Sequence, residues 1–415
     1  MKREPTDRAT DLRGVSRLTI DAVTGLTDLV EAMHKNVTSP SSIVGVAPKG
    51  RTRGITGFVY GTIRGVTRLV GGGIDAVLRQ LGSLLGESGA SPTREAVLAA
   101  LNGVLGDYLV ESGNSLAIPM RLRHHGHQLE MTAEGLAAVA AKSGAPQTRL
   151  LVLLHGLCMN DLQWSRQGHD HGAALARDLG YAPLYLHYNS GRHISTNGRE
   201  FAALMETLVQ AWPAPIAELV IVGHSMGGLI ARSALHVAHG SGHAWPRLVK
   251  KLVFLGTPHH GAPLERGGHW VDIFLGASPY TAPFSRLGKI RSAGVTDLRY
   301  GNLLDEDWVG RDRFARSRDH RVPVPLPRGV ACYALAATTG AAAGDAKDRL
   351  LADGLVPLAS ALGMHLNPER SLPIPEANQW IGYKMNHLDL LARPEVYQQI
   401  RRWLAPEQLP NEQLP

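Results

Sequence analysis

From residue 149 onward the chain alternates short unbroken apolar runs with longer stretches whose apolar positions recur at helical spacing. The runs at residues 149–155, 182–188, 219–223, 251–255, 330–336 and 380–384 predict strands, and helices are expected at 171–179, 197–211, 226–238 and 388–404. Strands apolar on both sides, separated by helices, predict a mostly parallel sheet covered on both faces, which is an α/β architecture. Ahead of them, residues 116–131 read as a hairpin turning at His124-His125-Gly126, followed by a short helix at 132–142 and a polar linker at 143–148.

Residues 1–112 carry a different pattern. Val15, Leu18, Ala22, Leu26, Leu29 and Met33 recur at helical spacing. A clearer stripe runs from Ile55 through Val59, Ile63, Val66, Val70, Ile74, Val77 and Leu81 to Leu84, with a mean step of about 3.6 residues. Gly57, Gly61 and Gly65 lie beside it at four-residue spacing and suit close backbone approach. Gly71-Gly72-Gly73 should weaken or kink that helix. A third helix is expected at 93–110, started by Ser91-Pro92. These helices either pack on each other or on the rest of the chain, or they form an interfacial amphipathic module. Residues 49–79 hold six basic side chains against the single acid Asp75, which suits a peripheral membrane contact; homo-oligomerisation is the other use of such helices.

Residues 262–328 break the strand–helix rhythm. They carry Trp270, Phe274, Tyr280, Phe284, Tyr300, Trp308 and Phe314 and end in a proline-rich run. Placed between two expected strands, they read as a cap or lid, or as a small aromatic core of their own.

With 415 residues and 44% hydrophobic content, the chain can bury a large core, and its 19% charged content argues against extensive disorder. The net charge of +7 is unaccompanied by any nucleic-acid motif, so no nucleic acid is expected as a partner. Two cysteines, Cys158 and Cys332, form no disulfide framework and fit a reducing compartment. The polar start and the lack of a long apolar stretch predict a cytoplasmic protein, at most peripheral to a membrane.

The chemistry centres on Gly223-His224-Ser225-Met226-Gly227, set between an expected strand and an expected helix. A serine on such a tight strand-to-helix turn is presented as a nucleophile, with small neighbours making room for the turn. It needs a base, an acid that orients the base, and donors for an oxyanion. The strand–serine–helix motif resembles the nucleophile turn of the α/β-hydrolases, and that resemblance implies that both partners follow the serine in the chain. His387, just past the last expected strand, is chosen as base over His259, His260, His269, His320 and His365. Asp353, in Ala352-Asp353-Gly354-Leu355-Val356-Pro357, is chosen as acid, with Asp345 and Asp348 as rivals in the same loop. The oxyanion donors are assigned to the amides of Met226, after the nucleophile, and Leu157, in the His155-Gly156-Leu157-Cys158 loop. Cys158 itself is read as a small buried residue.

Together with Leu255-Gly256-Thr257-Pro258-His259-His260-Gly261 and Asn386-His387-Leu388-Asp389, these motifs resemble the lipase and esterase branch of the α/β-hydrolases, including bacterial triacylglycerol lipases and GPI-inositol-deacylase-like proteins. The resemblance covers residues 116–405 and implies an α/β-hydrolase fold with a cap or lid insertion. With it the chain divides into an N-terminal helical module (1–114), a catalytic domain (115–405, insertion 262–328) and a tail (406–415). It implies a serine carboxylester hydrolase acting on a small-molecule or lipid ester: a lipid, a medium-chain ester or an aliphatic polyester. An acyltransferase or thioesterase could use the same triad, and a non-catalytic membrane-associated scaffold is the outside alternative. Calcium-dependent relatives bind the ion through an aspartate two residues after the histidine, where Asp389 stands. No partner aspartate occurs at matching spacing, so neither calcium nor any other metal or cofactor is expected.

Overall fold

The computed structural model describes residues 92–142, 148–262, 292–313, 318–343 and 352–406. The first two expected N-terminal helices, residues 143–147 of the linker, about half of the 262–328 insertion and the tail from 407 lie outside those residues.

An eight-stranded sheet organises the chain. Its strands are β1 (Arg121–His124), β2 (His127–Gln128), β3 (Arg149–Leu154), β4 (Ala182–His187), β5 (Glu218–His224), β6 (Val249–Leu255), β7 (Ala331–Thr338) and β8 (Gln379–Tyr383), in the spatial order β2-β1-β4-β3-β5-β6-β7-β8. The hairpin β1–β2 joins antiparallel, through Leu122 opposite Leu186 of β4. All pairings from β4 across to β8 are parallel.

The unbroken apolar runs are explained by burial on both sides. In β3, Leu150, Val152 and Leu154 face one core and Leu151 and Leu153 the other; β5 and β6 alternate in the same way. The first core is closed by α1 (Pro92–Glu111), α4 (Ile194–Ala211) and α5 (Met226–Gly240), through Val97, Leu101, Phe201, Met205, Leu229 and Ile230. The second is closed by α3 (His171–Leu179) and α8 (Pro394–Leu404), through Leu175, Val396, Ile400 and Leu404. A short α2 (Ala133–Lys142) follows the hairpin. α3 starts on Asp170, whose side chain accepts the Ala173 N–H, and stops at Gly180 with φ 71°.

One helix boundary differs from the sequence expectations. The last helix starts at Pro394 rather than near residue 388, because residues 389–391 form a separate 3-10 turn and proline suits the first helical position. Helix α1 packs into the same core as the sheet. Its Asn102, fully buried, donates to the Leu116 carbonyl and accepts the Ile118 N–H, tying it to the chain that enters the hairpin. Among the described residues no helix is long and apolar enough to cross a membrane.

The described part of the insertion is anchored to this body. It includes α6 (Ala293–Asp297) and α7 (Leu358–Ala361) follows after β7. Ser292 donates to the Gly103 carbonyl of α1 at 2.7 Å, and Asp297 accepts the Ile194 N–H at the start of α4. Trp308 stacks on His193 with ring centroids 3.7 Å apart. Trp270, Phe274, Tyr280, Phe284 and Phe314 lie outside the described residues.

Candidate active site

Strand β5 ends at His224 and α5 begins at Met226, which leaves Ser225 alone to reverse the chain. It does so at φ 54°, ψ −123°, a conformation strained for any residue with a side chain. The turn is pinned by the Ser225 N–H donating to the Leu255 carbonyl of β6 at 2.8 Å. A side chain on Gly227 would place its Cβ 2.7 Å from the His155 carbonyl oxygen, so glycine is required where the helix meets the β3 loop. Ser225 is 3% exposed.

The chosen base and acid meet. His387 Nδ1 donates to Asp353 Oδ2 at 2.6 Å, and the His387 N–H donates to the Asp353 carbonyl at 3.0 Å. The second carboxylate oxygen, Oδ1, accepts the Leu355 and Val356 N–H groups at 2.9 and 2.8 Å, which fixes the carboxylate before it meets the ring. Both residues are 2% exposed. The imidazole lies against the end of β6: a Cβ on Gly256, the residue after the carbonyl that pins Ser225, would stand 2.9 Å from His387 Cε1. Serine, acid and base therefore come from the carboxyl ends of β5, β7 and β8, on one edge of the sheet. Asp389 Oδ2 accepts the Asn386 N–H at 2.9 Å and closes the turn that carries His387.

The rival residues are elsewhere. His259 Nδ1 accepts from Arg232, His260 donates to the Gly363 carbonyl, and His365 accepts the Asn367 N–H. Asp345, Asp348 and His269 lie outside the described residues.

The loop holding Leu157 approaches the serine directly: a Cβ on Gly156 would stand 3.1 Å from Ser225 Cβ. Leu157 is fully buried. Cys158, at φ 59°, gives its N–H to Ser190 Oγ, and burial pushes its thiol up to about 12, so it is not a thiolate. Met226 is the first residue of α5, and its N–H belongs to the four that a helix leaves without an internal acceptor, at the positive end of the dipole.

Two supporting residues escaped the sequence reading. His224 Nε2 donates to the His387 carbonyl at 3.3 Å, with the two rings 4.7 Å apart. Burial holds His224 well below the usual histidine range, with the nearby His387 adding to the effect, so it stays neutral. Tyr188 donates to the His155 carbonyl at 2.7 Å and stacks on that ring, which braces the start of the Gly156–Cys158 loop.

Residues 149–322 match the model of the PGAP1-like alpha/beta domain. Among curated proteins none matches the chain. Among solved structures, the mature lipase of Bacillus licheniformis is 18% identical, covering 69% of this chain and 97% of its own at a TM-score of 0.41. An esterase of Pyrococcus furiosus is 13% identical over 63% of this chain and 82% of its own, at a TM-score of 0.38. A lipase-esterase related protein from Clostridium acetobutylicum is 12% identical over 62% and 95%, at 0.36. The mostly parallel sheet and the strained serine between β5 and α5 give the chain an α/β-hydrolase fold, of which residues 149–322 match the PGAP1-like alpha/beta domain.

Proposed function

We propose that the protein is a serine carboxylester hydrolase. The carrying observation is the pairing of a strained Ser225 with a buried Asp353–His387 pair at the same sheet edge. Ser225 attacks the ester carbonyl, and His387 takes its proton and returns it to the leaving alcohol. Asp353, bonded to Nδ1, holds the tautomer in which Nε2 can accept, and stabilises the imidazolium that forms. The Leu157 and Met226 amides receive the oxyanion. Water then releases the acyl group from the serine, with His387 as base. The aromatic and aliphatic content of the 262–328 insertion favours a hydrophobic acyl chain, and aliphatic polyesters fall within that class.

The test is turnover of short- to long-chain p-nitrophenyl esters by the wild type and Ser225→Ala. The expected result is wild-type activity peaking on hydrophobic chains and a fall of about 10⁴-fold or more in the variant. Equal turnover by the two proteins sinks the reading.

A further inference from the structure

Among the described residues, Arg232 is a buried cation without a counter-ion. It lies on the second turn of α5, six residues past Met226, so about 9 Å along the helix from the Ser225 turn. It is 5% exposed. One terminal nitrogen donates to His259 Nδ1 at 3.3 Å and the other to the Val324 carbonyl at 2.6 Å, while Nε is buried with no partner. No carboxylate pairs with it among the described residues. Burial, with Arg321 nearby, pulls it down to about 9, which still leaves it charged at neutral pH. An isolated buried charge costs several kcal/mol unless something compensates it.

His259 adds a second unmet donor. Because its Nδ1 accepts from Arg232, its proton sits on Nε2, and that atom is buried without an acceptor. Both residues line a cavity of about 140 Å³, together with Arg321 and Arg370. One water needs about 10–15 Å³ on this measure, so the space admits a group much larger than a water. The nearby acids do not neutralise Arg232. Asp319 is shared between Arg321 and Arg370, at 2.8 and 2.7 Å. Asp307 accepts the N–H groups of Leu303, Leu304 and Val322, and Glu369 is exposed.

We propose that this cavity is an anion site that takes a phosphate group, with Arg232 as its principal cation and His259 and Arg370 as further donors. A tetrahedral oxyanion with several acceptor oxygens matches guanidinium and imidazole N–H donors converging from different elements. The cavity is lined by none of Ser225, Asp353 and His387, and its binding test needs no turnover, so it stands or falls independently of the esterase reading.

The full-length protein is titrated with inorganic phosphate at constant ionic strength by calorimetry, as wild type, Arg232→Gln and Arg370→Glu. Arg370 is partly exposed, so the charge reversal tests the site should the buried Arg232 variant not fold. The expected result is saturable one-to-one binding by the wild type, weakened about tenfold or more in each folded variant. Absence of saturable binding by the wild type, or undiminished affinity in the folded variants, overturns the proposal. Phosphate added to assays then separates the two sources of the group. Competitive inhibition of a short-chain phosphatidic acid, with an uncharged ester unaffected, assigns the site to a substrate headgroup. A changed rate on the uncharged ester assigns it to free phosphate acting as an effector.

Discussion

Asp353 holds its place through both carboxylate oxygens, one on two loop amides and one on His387. That division makes Asp353→Asn informative. The amide oxygen can still accept from Leu355 and Val356, but the amide nitrogen then faces His387 Nδ1 and donates to it. The ring proton is forced onto Nε2, which can no longer accept from serine. We expect kcat to fall about 10⁴-fold while the thermal midpoint moves by only a few degrees. A folded variant with near-wild-type kcat removes Asp353 from the mechanism. Ser225 and His387 were legible in the sequence because each sits beside an apolar run that announces a strand end. His224 was not, since its partner is a carbonyl 163 residues away in the chain. The choice of Asp353 over Asp345 and Asp348 rested on its apolar flank Leu355-Val356, whose amides turn out to be what hold the carboxylate.

At the scale of elements, α1 couples the N-terminal part of the chain to the loop that carries Leu157. A Cβ on Gly103 of α1 would stand 2.8 Å from Cys158 Cα and 2.9 Å from its backbone nitrogen. Below that contact, Arg123 pairs with Glu95 of α1 at 3.0 Å and with Asp161 at 3.1 Å, and Asp161 also meets His187 at 2.9 Å. Gly103→Ala must therefore push either the helix or the loop. We expect a loss of about 1–3 kcal/mol in stability, and a fall in kcat with KM little changed, because a displaced Leu157 amide weakens binding of the developing oxyanion more than of the neutral ester. Wild-type kcat in that variant contradicts the proposed role of the loop. The Ser91-Pro92 start signal made α1 legible as a helix at 93–110. Which surface covers it was left between the other N-terminal helices and the rest of the chain, because a start signal marks a helix without saying what packs on it.

Across the whole molecule, fully buried neutral histidines are spread through both cores and the site. His155, His171, His224 and His259 are each 0% exposed. Burial pulls His155 down to about 3 and His171 to about 4, and holds His224 and His259 well below their usual range. In the unfolded chain each takes up a proton near pH 6.5. Below that pH the unfolded state binds more protons than the folded state, so folding stability is complete above about pH 6.5 and declines as the pH falls toward the folded values. Each such group contributes a limiting slope of about 1.4 kcal/mol per pH unit, or on the order of 5 kcal/mol per unit for the four together. Asp161 cannot mask this: its pKa is lowered, because His187 and Arg123 outweigh its burial, so its contribution is lost only at still lower pH. Against a typical total of about 5–15 kcal/mol, one pH unit is then enough to threaten the fold. Denaturant unfolding at constant ionic strength should show a midpoint that is flat above pH 7 and drops steeply between pH 6.5 and 5. A midpoint unchanged across that interval would mean that these side chains are not held neutral by the fold.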